Sequence, residues 1–168
     1  MSYLLALVTE PGEESTCAQL ATEAQRVAVR NNVDVVLLAE LDTLPAYSSD
    51  LDTEDARPLI ANQLRRSTVE ADGVLLFAAE GEHMPTLADS VLAWLANPGQ
   101  APAITGKPVA VVTAGPGEVV NQNLAERLRS AGAQVVADGV SIASAWSDPN
   151  TLERLGDAVV AVDAAARG

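Results

Sequence analysis

The chain has 168 residues, a length that fits one domain, and its 48% hydrophobic content can form a core covering about 70% of the unfolded surface. Its 23 acids against 10 bases give a formal charge of -13, which repels phosphate backbones and anionic membranes and argues against a nucleic-acid partner. One cysteine, Cys17, and one histidine, His83, supply neither an internal disulfide nor a structural zinc set.

No stretch reaches the roughly 20 apolar residues that a membrane helix needs. The start, Met1-Ser2-Tyr3, lacks the basic region of a signal peptide, so the expectation is a single cytoplasmic domain over residues 1–168.

Short apolar runs alternate with longer amphipathic stretches, the pattern of βαβ units. Tyr3–Val8 is nearly all apolar, as a strand buried on both faces should be, and Glu14–Asn31 follows with helical periodicity. In that helix Ala18, Ala21, Val27 and Ala28 are expected to face the sheet, with Gln19, Glu23, Arg26 and Arg30 toward water. Val33–Ala39 predicts the second strand, and Leu41–Thr53, with Pro45, Tyr47, two serines and three aspartates, a long loop. Helical spacing returns over Glu54–Ala71.

Gly73–Ala79 is the most hydrophobic strand candidate and is expected at the sheet centre, with a short loop, Glu80–Met84, behind it. Pro85–Ala96 carries an apolar stripe of Leu87, Val91, Leu92 and Leu95, with Asn97-Pro98-Gly99 as its stop. Lys107–Thr113 reads as the fourth strand, Glu118–Ala131 as a helix stopped by Gly132, and Ala133–Ala137 as the fifth strand. Pro149–Ala166 is the final helix.

Five parallel strands with right-handed crossovers suit a three-layer, doubly wound α/β sheet of order 2-1-3-4-5, the flavodoxin-like arrangement. Its binding crevice lies at the carboxyl ends of strands 1, 3 and 4, which selects loops 9–16, 80–84 and 114–118.

Four segments then resemble the NADPH-dependent FMN reductases, a flavodoxin-like family that includes quinone, azo and chromate reductases. Leu44-Pro45-Ala46-Tyr47-Ser48-Ser49-Asp50-Leu51 is similar to the family's "LPxYxxDL" loop, and Ala71-Asp72-Gly73-Val74-Leu75-Leu76 to its "ADGLLI" strand. The stretch from Met84 to Leu95 resembles its "IPGVLKNALDWL" helix, and Gly106-Lys107-Pro108-Val109-Ala110-Val111-Val112 its "GKPVAIV" strand. The four occur in the family's order and spacing.

The resemblance implies an oxidoreductase in which FMN accepts hydride from NAD(P)H as substrate and passes electrons to a quinone or other small acceptor. The chemistry then belongs to the cofactor, and no catalytic side chain is required. It implies Thr9, Gly12, Ser15 and Thr16 around the flavin phosphate. Around the ring it implies Glu80, Gly81, Glu82, His83 and Met84, with Gly115 and Gly117. It also implies a homodimer or homotetramer, with helix 85–96 and loop 41–53 as the contact surface.

The family's phosphate loop reads approximately "GSxRxxSxN". Its Gly-Ser falls here on Thr9-Glu10, its Arg on Gly12, its second Ser on Ser15 and its Asn on Cys17, so only Ser15 is retained. Glu10, Glu13 and Glu14 crowd the place of a phosphate dianion, although acids in a first turn also complement a helix macrodipole. The ring loop "PEYNGSxP" is replaced by Ala78-Ala79-Glu80-Gly81-Glu82-His83-Met84-Pro85, without the tyrosine. These departures carry a second reading, a family member that no longer binds FMN and serves as a scaffold for a protein or another ligand.

Three further expectations concern single residues. Cys17 is read as a buried residue with a raised thiol pKa, not a nucleophile, and Trp94 as a packing residue. Trp146, in a Ser-Ala-Trp-Ser-Asp loop, is placed near the pocket or a partner. Rival architectures lack their residues. A receiver domain needs a phosphorylatable Asp after strand 3 where this chain has Ala79-Glu80, and neither a Gly-x-Ser-x-Gly elbow nor a Walker loop occurs.

Overall fold

In the computed structural model, which describes residues 2–96, 103–142 and 149–168, strands and helices alternate along the chain. The strands are β1 (Ser2–Val8), β2 (Val33–Leu37), β3 (Gly73–Ala79), β4 (Pro108–Ala114) and β5 (Gln134–Ile142). The helices are α1 (Thr16–Arg30), α2 (Leu59–Glu70), α3 (Thr86–Ala96), α4 (Val119–Ser130) and α5 (Pro149–Ala166). All strand pairs are parallel, in the order β2-β1-β3-β4-β5, so the expected flavodoxin-like topology is the one the chain adopts.

Alternation along the strands divides the core into two layers. Leu5 and Leu7 of β1, Val74, Leu76 and Ala78 of β3, and Val109 and Val111 of β4 meet α2, α3 and α4. Leu4 and Ala6, Leu75 and Phe77, and Ala110, Val112 and Ala114 face α1 and α5. β3 is central, as its composition predicts, and each of its fully buried Leu or Phe side chains contributes roughly 2 kcal/mol. Trp94 lies in the core, fully buried.

At Gly73 the final helix comes closest to the sheet. A Cβ there would stand 2.3 Å from Val162 Cγ1 and 3.1 Å from the Pro108 carbonyl, so only glycine lets α5 seat at this depth. The single lysine closes a helix end, since Lys107 Nζ donates to the carbonyls of Val69 (2.8 Å) and Ala71 (2.5 Å) at the C-terminus of α2.

Several boundaries differ from expectation for local reasons. α1 starts at Thr16 instead of Glu14, because Ser15 is its N-cap and its hydroxyl accepts from the Ala18 amide. Its buried face is Cys17, Leu20, Ala21, Ala24 and Ala28, while Ala18 and Val27 are only half-buried. Glu23, expected in water, is 7% exposed and held by Arg26 at 2.7 Å. α2 starts at Leu59 instead of Glu54, since Pro58 disfavours helical geometry in the residue before it. β2 stops at Leu37, two residues before its expected end, and Glu40 then turns left-handed (φ 63°) into a single 3-10 turn at Leu41–Thr43.

β5 runs to Ile142, past Ala137. Its register against β4 slips twice, between Val109 and Ala110, which pair with Val135 and Ala137, and again before Val112, which pairs with Val140, so bulges carry the strand beyond its first apolar run. The stop at Asn97-Pro98-Gly99 and Trp146 lie outside the described residues.

The connection from β2 to α2 is pinned by charge and aromatic contacts. Asp52 Oδ1 accepts from Arg57 Nε (2.8 Å) and Arg65 Nη1 (2.7 Å), and Oδ2 from Arg65 Nη2 (2.9 Å) and the Tyr47 hydroxyl (3.0 Å). Tyr47 meets Trp94 edge-on at 4.9 Å, Arg65 Cζ lies 5.2 Å from the Trp94 ring centre, and the indole N–H donates to the Pro45 carbonyl at 2.9 Å. The "LPxYxxDL"-like segment is thereby tied to α2 and α3. Among the described residues no helix is long and apolar enough to cross a membrane.

Candidate functional site

Sheet hydrogen bonds continue past the strand ends and fix where the three crevice loops leave. The Thr9 amide donates to the Phe77 carbonyl (2.9 Å), the Glu80 amide to Ala114 (2.8 Å) and the Gly115 amide to Ile142 (2.9 Å). Loops 9–16, 80–84 and 114–118 therefore emerge side by side at the carboxyl edge, as the topology requires.

Thr9 is buried, and its hydroxyl also donates to the Phe77 carbonyl at 2.7 Å. Gly12 and Thr16 are exposed, and Ser15 is half-buried with its oxygen committed to the α1 cap. Gly81, Glu82 and His83 are exposed, while Glu80 and Met84 are half-buried. Gly117 is exposed and Gly115 half-buried. Gly115 has φ +117°, a conformation that L side chains rarely adopt, and the Glu80 Cβ lies 3.4 Å from where its own Cβ would stand.

Two carboxylates organise the crevice in a way that residue types alone do not reveal. Glu10 turns back onto α1, where its Oε1 accepts from the Cys17 amide at 3.1 Å. Glu80 reaches α4, where Oε1 accepts from the Val120 amide (2.9 Å) and Oε2 from the Asn121 amide (2.8 Å). Each acid sits where the helix macrodipole and the unpaired first-turn amides favour an anion. The spacing of Glu80 forty residues before its helix carries no capping signal, because capping patterns are recognisable only between near neighbours.

Cys17 lies beneath Glu10, fully buried. Burial pushes its thiol pKa up, and the neighbouring Glu10 carboxylate pushes it further, so the thiol stays protonated, as expected from the sequence.

Beside the α1 terminus, Glu10, Gly12 and Glu13 face Leu38, Glu40 and Asp42 across a cleft of about 330 Å³. The acids from the β2 side, Glu40 and Asp42, are site residues that sequence reasoning does not select, since they become neighbours only once β2 lies against β1. Loops 9–16, 80–84 and 114–118 carry Glu10, Glu13, Glu14, Glu80, Glu82 and Glu118, and no lysine or arginine. The local potential is therefore negative.

Comparison with solved structures finds the same architecture. A flavoenzyme NAD(P)H:(acceptor) oxidoreductase, FerB, from Paracoccus denitrificans superposes with a TM-score of 0.72 at 22% identity, covering 99% of this chain and 96% of that one. An oxidoreductase from Corynebacterium diphtheriae gives 0.73 at 16% identity, covering 99% and 97%. Oxidised flavodoxin 2 from Bacillus cereus gives 0.60 at 19% identity, covering 98% and 99%. No curated protein matches the sequence. The family model for NADPH-dependent FMN reductase matches residues 3–151, a span that includes all three crevice loops, and the chain belongs to that family.

Proposed function

We propose that the chain is an oxidoreductase that draws reducing equivalents from NAD(P)H and delivers them to a small acceptor such as a quinone. The observation that supports this reading is the family match over residues 3–151, a span that contains the three loops at the switch point of the sheet.

The family's group is FMN, and its two ends fare differently against these residues. On the ring side, Gly115 and Gly117 hold the turn after β4 with φ of +117° and +100°, and a Cβ at Gly117 would meet nothing within 4 Å. The backbone there is open to a planar ligand. On the phosphate side the residues do not fit. The Cys17 amide is taken by Glu10, the Ala18 amide by Ser15 and the Thr9 hydroxyl by Phe77. No cation stands in the loops to meet a dianion.

The occupied α1 terminus favours a second reading, a family member that holds no FMN and presents this face to a protein or another ligand. Purified protein assayed for NAD(P)H-dependent quinone reduction, with FMN or riboflavin added, separates the two. Flavin-dependent turnover supports the oxidoreductase. No turnover, with no flavin band retained after dialysis, selects the binding role.

A further inference from the structure

We propose that Glu10 is a resident anion on the first turn of α1 and bars phosphorylated ligands from the crevice, so that the flavin taken here is one without its phosphate. The choice of flavin rests on the oxidoreductase reading; the exclusion of phosphate does not.

The geometry supplies the argument. A phosphate at a helix start is held by first-turn amides and nearby hydroxyls. In this chain the Cys17 amide meets Glu10 Oε1 at 3.1 Å and the Ala18 amide meets Ser15 Oγ at 3.1 Å. The Ser15 hydroxyl donates back to the Glu10 carbonyl at 3.5 Å, which folds loop 10–15 over the same turn. Thr9 spends its hydroxyl on β3. An incoming dianion must therefore displace the carboxylate that holds the Cys17 amide, and then sit beside Glu13.

The other helix facing the crevice is closed in the same manner, by both oxygens of Glu80 on α4. At each helix start two first-turn amides are thus already paired within the chain. A neutral isoalloxazine with a ribityl tail makes no such demand, and the open backbone around Gly117 leaves it room.

The test uses the full chain with Glu10→Ser, which opens the terminus, and Glu10→Gln, which removes the charge and keeps an acceptor for the Cys17 amide. Each protein is melted in inorganic phosphate and in chloride of equal ionic strength, so that each serves as its own reference for lost capping. Phosphate raises every melting temperature somewhat by its exclusion from the protein surface, and Glu10→Ser is expected to gain more in phosphate over chloride than the wild type does. A wild-type gain as large as that of Glu10→Ser, or gains in both variants no larger than the wild type's, overturns the exclusion.

Flavin affinities come from quenching of riboflavin and FMN fluorescence. Removing one opposing charge from a helix terminus is expected to move the FMN-to-riboflavin affinity ratio toward FMN by about 10-fold. A wild type that binds FMN more tightly than riboflavin overturns the ligand assignment. If neither flavin binds wild type or variants, the oxidoreductase reading and the ligand class fall together, while the phosphate melts still judge Glu10 alone.

Discussion

Asp52→Asn isolates what holds the long connection between β2 and α2. The native carboxylate accepts four hydrogen bonds, three from two arginines and one from Tyr47. Asparagine keeps one acceptor oxygen, loses the charge, and turns an amide N–H toward donors. Losing two bonds to charged groups at about 1.5–3 kcal/mol each sets an upper range of about 3–6 kcal/mol. Arg57 and Arg65 side chains are 18% and 22% exposed, so water recovers part of this. The expected cost is about 2–3 kcal/mol, somewhat below the value for breaking a fully buried pair. For a chain of this length that lowers Tm by about 5–10 °C.

Acid provides the control. The Arg65 guanidinium, aided by Arg57 and Tyr47 and opposed by burial, holds the Asp52 carboxyl well below the usual carboxylate range. Because the folded-state value is depressed, the stabilisation is fully present above the ordinary carboxyl pKa, near 4, and is lost as pH falls through the folded value. The gap between wild type and Asp52→Asn should therefore hold constant from neutral pH to about pH 5 and narrow below about pH 4. Urea melts followed by circular dichroism read both quantities. A variant within about 0.5 kcal/mol of wild type at neutral pH, the range of an ordinary surface change, would refute the network's role. So would a gap that ignores acid.

Other perturbations test separate parts of the molecule. Gly73→Ala places a methyl group against Val162 and the Pro108 carbonyl and should cost about 1–3 kcal/mol in urea melts, with Val162→Ala recovering part of it in the double variant. Glu80→Ala strips two acceptors from the first turn of α4 and should cost about 1–2 kcal/mol, with faster hydrogen exchange at the amides of Val120 and Asn121. Cys17 should resist thiol reagents in the native state and label at the rate of unfolding, because burial first and Glu10 second keep it protonated; rapid native labelling would contradict that placement.

Strand identity was legible because a parallel strand buried on both faces must be almost wholly apolar, as β3 is and as β4 is but for Thr113. Segments where apolarity is broken were not. β5 continues through Asp138-Gly139, a turn-like dipeptide, because pairing with β4 absorbs an extra residue in a bulge. The start of α2 was masked by Glu54 and Asp55, which suit a helical first turn, whereas Pro58 decides the boundary. At the crevice, topology and residue type located the loops and exposed the surplus of glutamates. What they omit is direction. A glutamate beside a helix start reads the same in sequence whether it points to solvent or, like Glu10, back onto the Cys17 amide. The partnership of Glu80 with α4 exists only after β3 and β4 have paired.

The self-supplied caps on α1 and α4 bear on how the protein behaves in a cell. A ligand stabilises by mass action whatever state binds it, and a fold with unfinished helix ends leans on that supply. Here the chain brings its own anions to those helix ends. Its steady-state amount is then expected to follow synthesis and turnover, not the supply of a ligand. Depletion of whatever ligand the crevice takes is expected to leave the pool of folded protein undiminished.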